Sequence, residues 1–184
     1  MCGSVLVQCI VLGALTVATQ ASGVRDISNT LQVKLRLNKQ EIRVGEEIVA
    51  RFTITNISKR DVSVVTTGAL YMAYWFRVEG SEGRVWADAL FEKLFTDYVS
   101  REDVVTLKPG RSFTVNREAK LYQSQTKSGK AFLDFGDSGF ELNCGTRYRL
   151  HGQFWARDER SHRFDVISGR LTSAPVNILV TPCK

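Results

Sequence analysis

The chain has 184 residues, 43% hydrophobic and 24% charged, with a formal net charge of +6. That composition belongs to a folded globular protein and excludes a disordered or fibrous chain. Basic residues are mixed with acidic ones, as in Arg157-Asp158-Glu159-Arg160, so the net charge reads as a solvated surface and no nucleic-acid partner is expected.

Residues 1–23 carry no charged side chain, and the run from Val5 to Val17 is apolar apart from Gln8, Cys9, Gly13 and Thr16. Small residues follow from Ala18 to Gly23, which suits cleavage after Ala21 or Gly23, the layout of a secretory signal peptide. The rival reading is a retained anchor, but the run is short for the roughly 20 apolar residues that span a bilayer. Lipidation at Cys9 is disfavoured by Gln8, which is not the small residue expected before a lipidated cysteine. The expectation is therefore a signal peptide over 1–23 and a single secreted, monomeric domain over 24–184, with no membrane span in the mature chain. Cys2 and Cys9 would leave with the signal. Cys144 and Cys183 remain, an even number in an oxidising compartment, so a disulfide is expected; a cytosolic chain would keep two free thiols instead.

Leu31, Val33, Leu35 and Leu37 alternate with Gln32, Lys34 and Arg36, the pattern of a first strand with one wet face. Val44-Gly45-Glu46-Glu47 makes a turn into the most regular stretch of the chain. There Ile48, Ala50, Phe52 and Ile54 share one face, and Val49, Arg51, Thr53 and Thr55 the other. Val62 to Val65 is a β-branched strand, Tyr71 to Val78 an aromatic one, and Glu79 to Gly83 a turn into Arg84-Val85-Trp86. Leu90, Phe91, Leu94, Phe95 and Tyr98 recur near the helical period after Asp88, a fair N-cap. This predicts a short helix, with an irregular core-plugging loop as the alternative.

Val104 to Leu107 leads to Lys108-Pro109-Gly110-Arg111, the sequence of a type II turn. Ser112 to Val115 and Ala119 to Tyr122 read as two short strands, and Gln123 to Lys130 as an exposed loop. Tyr148, Leu150, Gly152 and Phe154 alternate with Arg147, Arg149, His151 and Gln153 in a late central strand. Arg157 to Arg163 is a charged loop. Val176, Ile178 and Val180 close the chain, with Pro175 at the strand start. Many short strands with regular turns and little helix predict an all-β antiparallel β-sandwich with at most one short helix.

Val44-Gly45-Glu46, the Phe52-Thr53-Ile54-Thr55-Asn56 run, Gly83-Arg84-Val85-Trp86 and Leu107-Lys108-Pro109-Gly110 together resemble secreted immunoglobulin-like sandwiches. The third and fourth strings are similar to the domain named after a bacterial intracellular proteinase inhibitor. The second, with the Pro109-Gly110 turn, is similar to the immunoglobulin-like portion attached to deuterolysin-type metalloproteases. The resemblance implies an immunoglobulin-like fold and raises protease inhibition as a function. Its matches are structural residues, so it names no inhibitory loop.

Catalytic constellations are weak. Gly136-Asp137-Ser138-Gly139 matches a serine-protease nucleophile string, but both His151 and His162 follow the serine, and Phe140-Glu141 stands where that family has Gly-Pro. The same two histidines, eleven apart with no cysteine pair beside them, make a poor zinc site. Asp134, Asp137 and Glu141 fit no defined cation loop. No cofactor or metal is expected, and the chain is read as non-enzymatic. Asn56-Ile57-Ser58 is an N-glycosylation sequon, expected to carry a glycan at Asn56 in a eukaryote. Recognition is expected on loops held by a rigid scaffold. The candidate contacts are Trp155, Arg157, Arg160 and Arg163 at one place and Lys127 and Lys130 at another. The expected function is a binding module for a protein or glycan partner, with protease inhibition as the alternative.

Overall fold

The computed structural model describes residues 27–65, 74–80, 85–87, 101, 104–125, 128–136, 139–156, 167 and 169–183. Among the described residues the fold is nearly all β, and its sheets are antiparallel but for one short pairing. The strands in chain order are β1 (Leu31–Leu37), β2 (Glu41–Ile42), β3 (Glu47–Asn56), β4 (Val62–Val65), β5 (Tyr74–Gly80), β6 (Val85–Ala87) and β7 (Val104–Leu107). They continue as β8 (Ser112–Gln123), β9 (Lys130–Asp134), β10 (Gly139–Asn143), β11 (Arg147–Ala156), β12 (Gly169–Thr172) and β13 (Val176–Val180).

One sheet runs β1-β3-β8-β9-β10 and the other β2-β13-β11-β5-β6, with β12 also on β11 and a separate β4-β7 pair. The parallel exception is β2 on β13. Within the first sheet β3 is flanked by β1 and β8, and its Ile48, Ala50, Phe52 and Ile54 are wholly buried, as the alternation predicted. At the centre of the second, Tyr148, Leu150 and Phe154 of β11 point inward and are buried. The two inner faces meet along a file of rings. Phe52 of β3 lies 5.2 Å from Phe76 of β5, Phe76 stacks on Phe135 at 3.9 Å, and Phe135 meets Phe140 at 6.3 Å. Such ring pairs add about 0.5–1.5 kcal/mol each beyond their buried area.

The Lys108–Arg111 turn forms as expected: Arg111 N donates to Lys108 O at 2.9 Å and Gly110 takes φ 73°, the positive φ that a type II turn needs at its third residue. Four features depart from the sequence reading. The two strands expected over Ser112 to Val115 and Ala119 to Tyr122 are one strand, β8, because Arg117 turns inward between them and its Nη2 donates to the Phe135 carbonyl at 3.3 Å. A charged side chain on the inner face had broken the apparent period. β9 and β10 form a hairpin that the sequence hid, since Phe132 of β9 faces out and is 41% exposed. Two-residue β2 is held by backbone pairing to β13. Finally, β12 precedes β13 along the same side of β11. Gln153 faces Thr172 but Leu150 faces Val176, so one extra residue is accommodated between the two strands as a β-bulge. Buried Ser173 holds it, its N–H donating to Gly152 O at 2.8 Å and its Oγ accepting from Gly152 N at 2.9 Å.

Cys144, just after β10, and Cys183, beyond β13, form a disulfide with Cα atoms 5.5 Å apart. It ties the end of the second sheet to the hairpin of the first. The expected helix after Asp88, the signal peptide over 1–23, the Arg157 to Arg163 loop with His162, and Lys127, Asp137 and Ser138 lie outside the described residues. No described helix is long and apolar enough to cross a membrane.

Candidate binding site

The outward face of the five-stranded sheet carries an exposed aromatic pair. Tyr122 lies one residue before the end of β8 and Phe132 stands directly across from it on β9; they are 46% and 41% exposed. Strand alternation accounts for their direction, because neighbours Leu121, Ala131 and Leu133 take the inner face and are buried. The Phe132 ring does not stand clear of the sheet. It leans across the hairpin onto Gly139 of β10, where its outer ring atoms occupy the space that a Cβ would need. The missing side chain at Gly139 thus gives the ring a seat on backbone.

Charged groups flank the pair. Lys120 Nζ lies 5.7 Å from the Tyr122 ring centroid, a cation–π contact, and 3.8 Å from Glu47 Oε1. Lys130, at the start of β9, is ion-paired with Glu141 of β10. These cations have acidic neighbours, so the patch is apolar at its centre with balanced charge around it. Of the Gln123 to Lys130 segment expected as a contact loop, Gln123 and Lys130 belong to strands, and the Lys130 side chain is held across the β9–β10 hairpin rather than presented on a loop tip.

Trp155 is elsewhere, on the outward face of the six-stranded sheet near the end of β11. It meets Trp75 of β5 edge-to-face at 5.4 Å, and the Arg170 guanidinium of β12 lies 4.9 Å from its ring centroid. Further along this face Glu79 of β5 accepts from Arg149 Nη2, and its Oε2 is 3.2 Å from His151 Nε2. The hydrogen bond from His151 is the largest influence on Glu79 and holds its carboxyl below the ordinary carboxylate value. Partial burial opposes this, and Arg149 adds to it. The residues most expected to accompany Trp155, namely Arg157, Arg160 and Arg163, lie outside the described residues. His151, expected on a wet face, is mostly covered, with 16% of its side chain exposed.

Asn56 has a structural task. It is wholly buried at the end of β3, and its Nδ2 donates to the carbonyls of Arg60 at 2.8 Å and Leu107 at 2.7 Å. Its Oδ1 accepts from Ser58 N at 2.9 Å and Ser58 Oγ at 2.8 Å. A sugar on Nδ2 would have to remove one of those hydrogens and open the buried site, so this geometry opposes the glycan expected there. The sequon pattern arises because the same Asn-x-Ser spacing closes a hydrogen-bonded turn. Of the carboxylates considered for a cation, Asp134 instead accepts from Gly136 N at 2.7 Å and Glu141 pairs with Lys130. Among the described residues no cluster of metal-ligating side chains occurs.

No family model matches this chain and no curated protein matches it. Among solved structures it is similar to Spo0M, the sporulation control protein of Bacillus subtilis, at 11% identity and a TM-score of 0.40. That match covers 84% of this chain and 50% of the other, so the chain spans about half the length of Spo0M. It is also similar to the alkylpurine DNA glycosylase AlkC of Pseudomonas fluorescens, solved on DNA containing an abasic-site analogue. There the identity is 15%, the coverage 62% and 30%, and the TM-score 0.30. The structural-genomics target SoR45 matches at 12% identity, with coverage of 84% and 89% and a TM-score of 0.33. Scores this low carry no function to this chain, and none of the three is named as a proteinase inhibitor or deuterolysin domain.

Proposed function

We propose that this chain is a secreted, non-enzymatic binding module with an immunoglobulin-like sandwich as its scaffold, and that its ligand is a neutral glycan. The carrying observation is the exposed Tyr122–Phe132 pair in the outward face of a sheet, with the Phe132 ring seated on Gly139. Aromatic faces on a rigid sheet suit the C–H faces of sugar rings, whereas isolated exposed apolar residues on a surface need no function at all. The balanced charge around the pair, Lys120 with Glu47 and Lys130 with Glu141, favours an uncharged ligand over an anionic one. The apolar segment at 1–23 and the Cys144–Cys183 bond support secretion. Protease inhibition keeps only the family resemblance as support.

The test is retention of the purified protein on a panel of insoluble and soluble neutral polysaccharides, alongside Phe132→Ala and Tyr122→Ala. Retention by at least one polysaccharide that either substitution weakens about tenfold or more supports the reading. If the unmodified protein binds none, or both variants bind equally well, the glycan reading fails. Capture of a protein ligand at this patch instead would also overturn it.

A further inference from the structure

We infer a second and separate recognition site, a groove along the open edge of β1 that takes an extended acidic peptide from a partner protein by backbone pairing. Among the described residues β1 lies at the edge of its sheet, with β3 on one side only. Ile57 N donates to Thr30 O and Asn38 N to Val49 O. Antiparallel pairing alternates along a strand, so the even-numbered residues of β1 turn their backbone groups toward β3. The N–H and C=O groups of Val33 and Leu35 therefore point the other way, and no described residue hydrogen-bonds to them.

That open edge forms one bank of a cavity of about 490 Å³, with Leu171, Thr172 and the bulge residues Ala174 and Pro175 on the other. Among the described residues β12 likewise pairs only with β11. A row of unpaired backbone groups beside a groove is the requirement for adding a guest strand, in which main-chain bonds supply affinity and side chains supply choice.

Charge selects the guest. The described cavity lining includes Lys34 and Arg36 and no carboxylate. Arg36 stands directly across from Arg51 of β3, which concentrates positive charge at this end of the sheet. A second copy of β1 is a poor occupant, because antiparallel self-pairing sets these cations against their own counterparts, and like charges across strands are destabilising. Lys34 and Arg36 deter self-association and attract a strand bearing Asp or Glu. Ile57, 50% exposed and part of the lining, offers an apolar anchor, so the fitting peptide alternates acidic with apolar residues.

The experiment is calorimetric titration of the full chain with three synthetic strands. One alternates Glu and Val, one alternates Lys and Val, and the third is the Glu–Val strand with its pairing nitrogens methylated. The Glu–Val strand is expected to bind, and each of the others to bind about tenfold or more weakly. Lys34→Glu with Arg36→Glu, on exposed positions that leave the core untouched, should reverse the preference between the acidic and basic strands. Absence of binding by the Glu–Val strand, equal binding of the Lys–Val strand, or undiminished binding of the methylated strand would each overturn the proposal. Concentration-dependent dimerisation that Lys34→Glu strengthens would overturn it too, since a second copy would then be the occupant.

Discussion

Phe52 occupies the place where Gly152 has no side chain. A Cβ at Gly152 would lie 2.6 Å from Phe52 Cε1 and 3.3 Å from Leu35 Cβ. The first sheet thus presses its central ring onto the backbone of the second. Gly152→Ala should force ring and strand apart and lower stability by about 1–3 kcal/mol. Urea unfolding followed by near-ultraviolet circular dichroism reads this as a lower midpoint. A midpoint unchanged within error would mean that Phe52 can rotate away without cost.

Asn56→Ala removes the partner of two carbonyls and a backbone N–H at a buried site. Each buried group left unsatisfied costs about 1–3 kcal/mol, so this substitution is expected to rank among the most damaging polar changes in the domain. Ser58→Ala, which loses a hydroxyl that both donates to Asn56 Oδ1 and lies near the Arg60 carbonyl, should cost less. Intact mass of protein secreted from a eukaryotic host should show Asn56 unmodified. A glycan found there on folded, fully stable protein would refute the structural role argued for this side chain.

Reduction of Cys144–Cys183 releases a span of 39 residues. On the chain-entropy account this closure is worth about 4 kcal/mol. The paired Cys144→Ala and Cys183→Ala variant should lose stability to a similar extent, and the oxidised protein should lose it on treatment with reductant. A reduced protein as stable as the oxidised one would show that the two sheets hold the C-terminus without help.

Glu79 favours its deprotonated form in the folded state, chiefly through the hydrogen bond from His151 and further through Arg149. A carboxylate with a lowered folded pKa stabilises above its ordinary value, here 4.5, and that contribution disappears as pH falls through the folded value. Glu79→Gln should therefore narrow the difference in stability between neutral and acid pH. Parallel acid limbs for the variant and the unmodified protein would show that the Glu79–Arg149–His151 contact adds nothing measurable, as many surface ion pairs do.

Alternation made much of this fold legible. Along β1, β3 and β13 every second residue faces inward and all but Asn56 are apolar, with Leu37 and Val176 half-buried and the rest buried, because a pleated strand with one wet face leaves a period of two in the sequence. The same rule failed where the wet face was also apolar or the dry face charged. Phe132 faces outward and concealed the β9–β10 hairpin, while inward Arg117 split β8 in two. The exposed Tyr122–Phe132 pair is illegible for the same reason, since nothing local to Phe132 says that Gly139 lies beneath its ring. Lys130 was singled out by sequence, yet its pairing with Glu141 depends on a hairpin register that composition does not display.

Read alone, the sequence determined a β-rich fold, most strands of its core, the Lys108–Arg111 turn and the pairing of its last two cysteines. These are matters of side-chain period, backbone preference and parity, all local in the chain. Tertiary structure decided which apolar residues stay wet, that Asn56 is buried with its amide hydrogen-bonded to the carbonyls of Arg60 and Leu107, and that among the described residues β1 ends a sheet with the backbone groups of Val33 and Leu35 unpaired. Those outcomes depend on contacts between residues far apart in sequence, such as Asn56 with Leu107 and Phe52 with Gly152. No local pattern encodes them, because burial and edge position are properties of the neighbours that folding supplies.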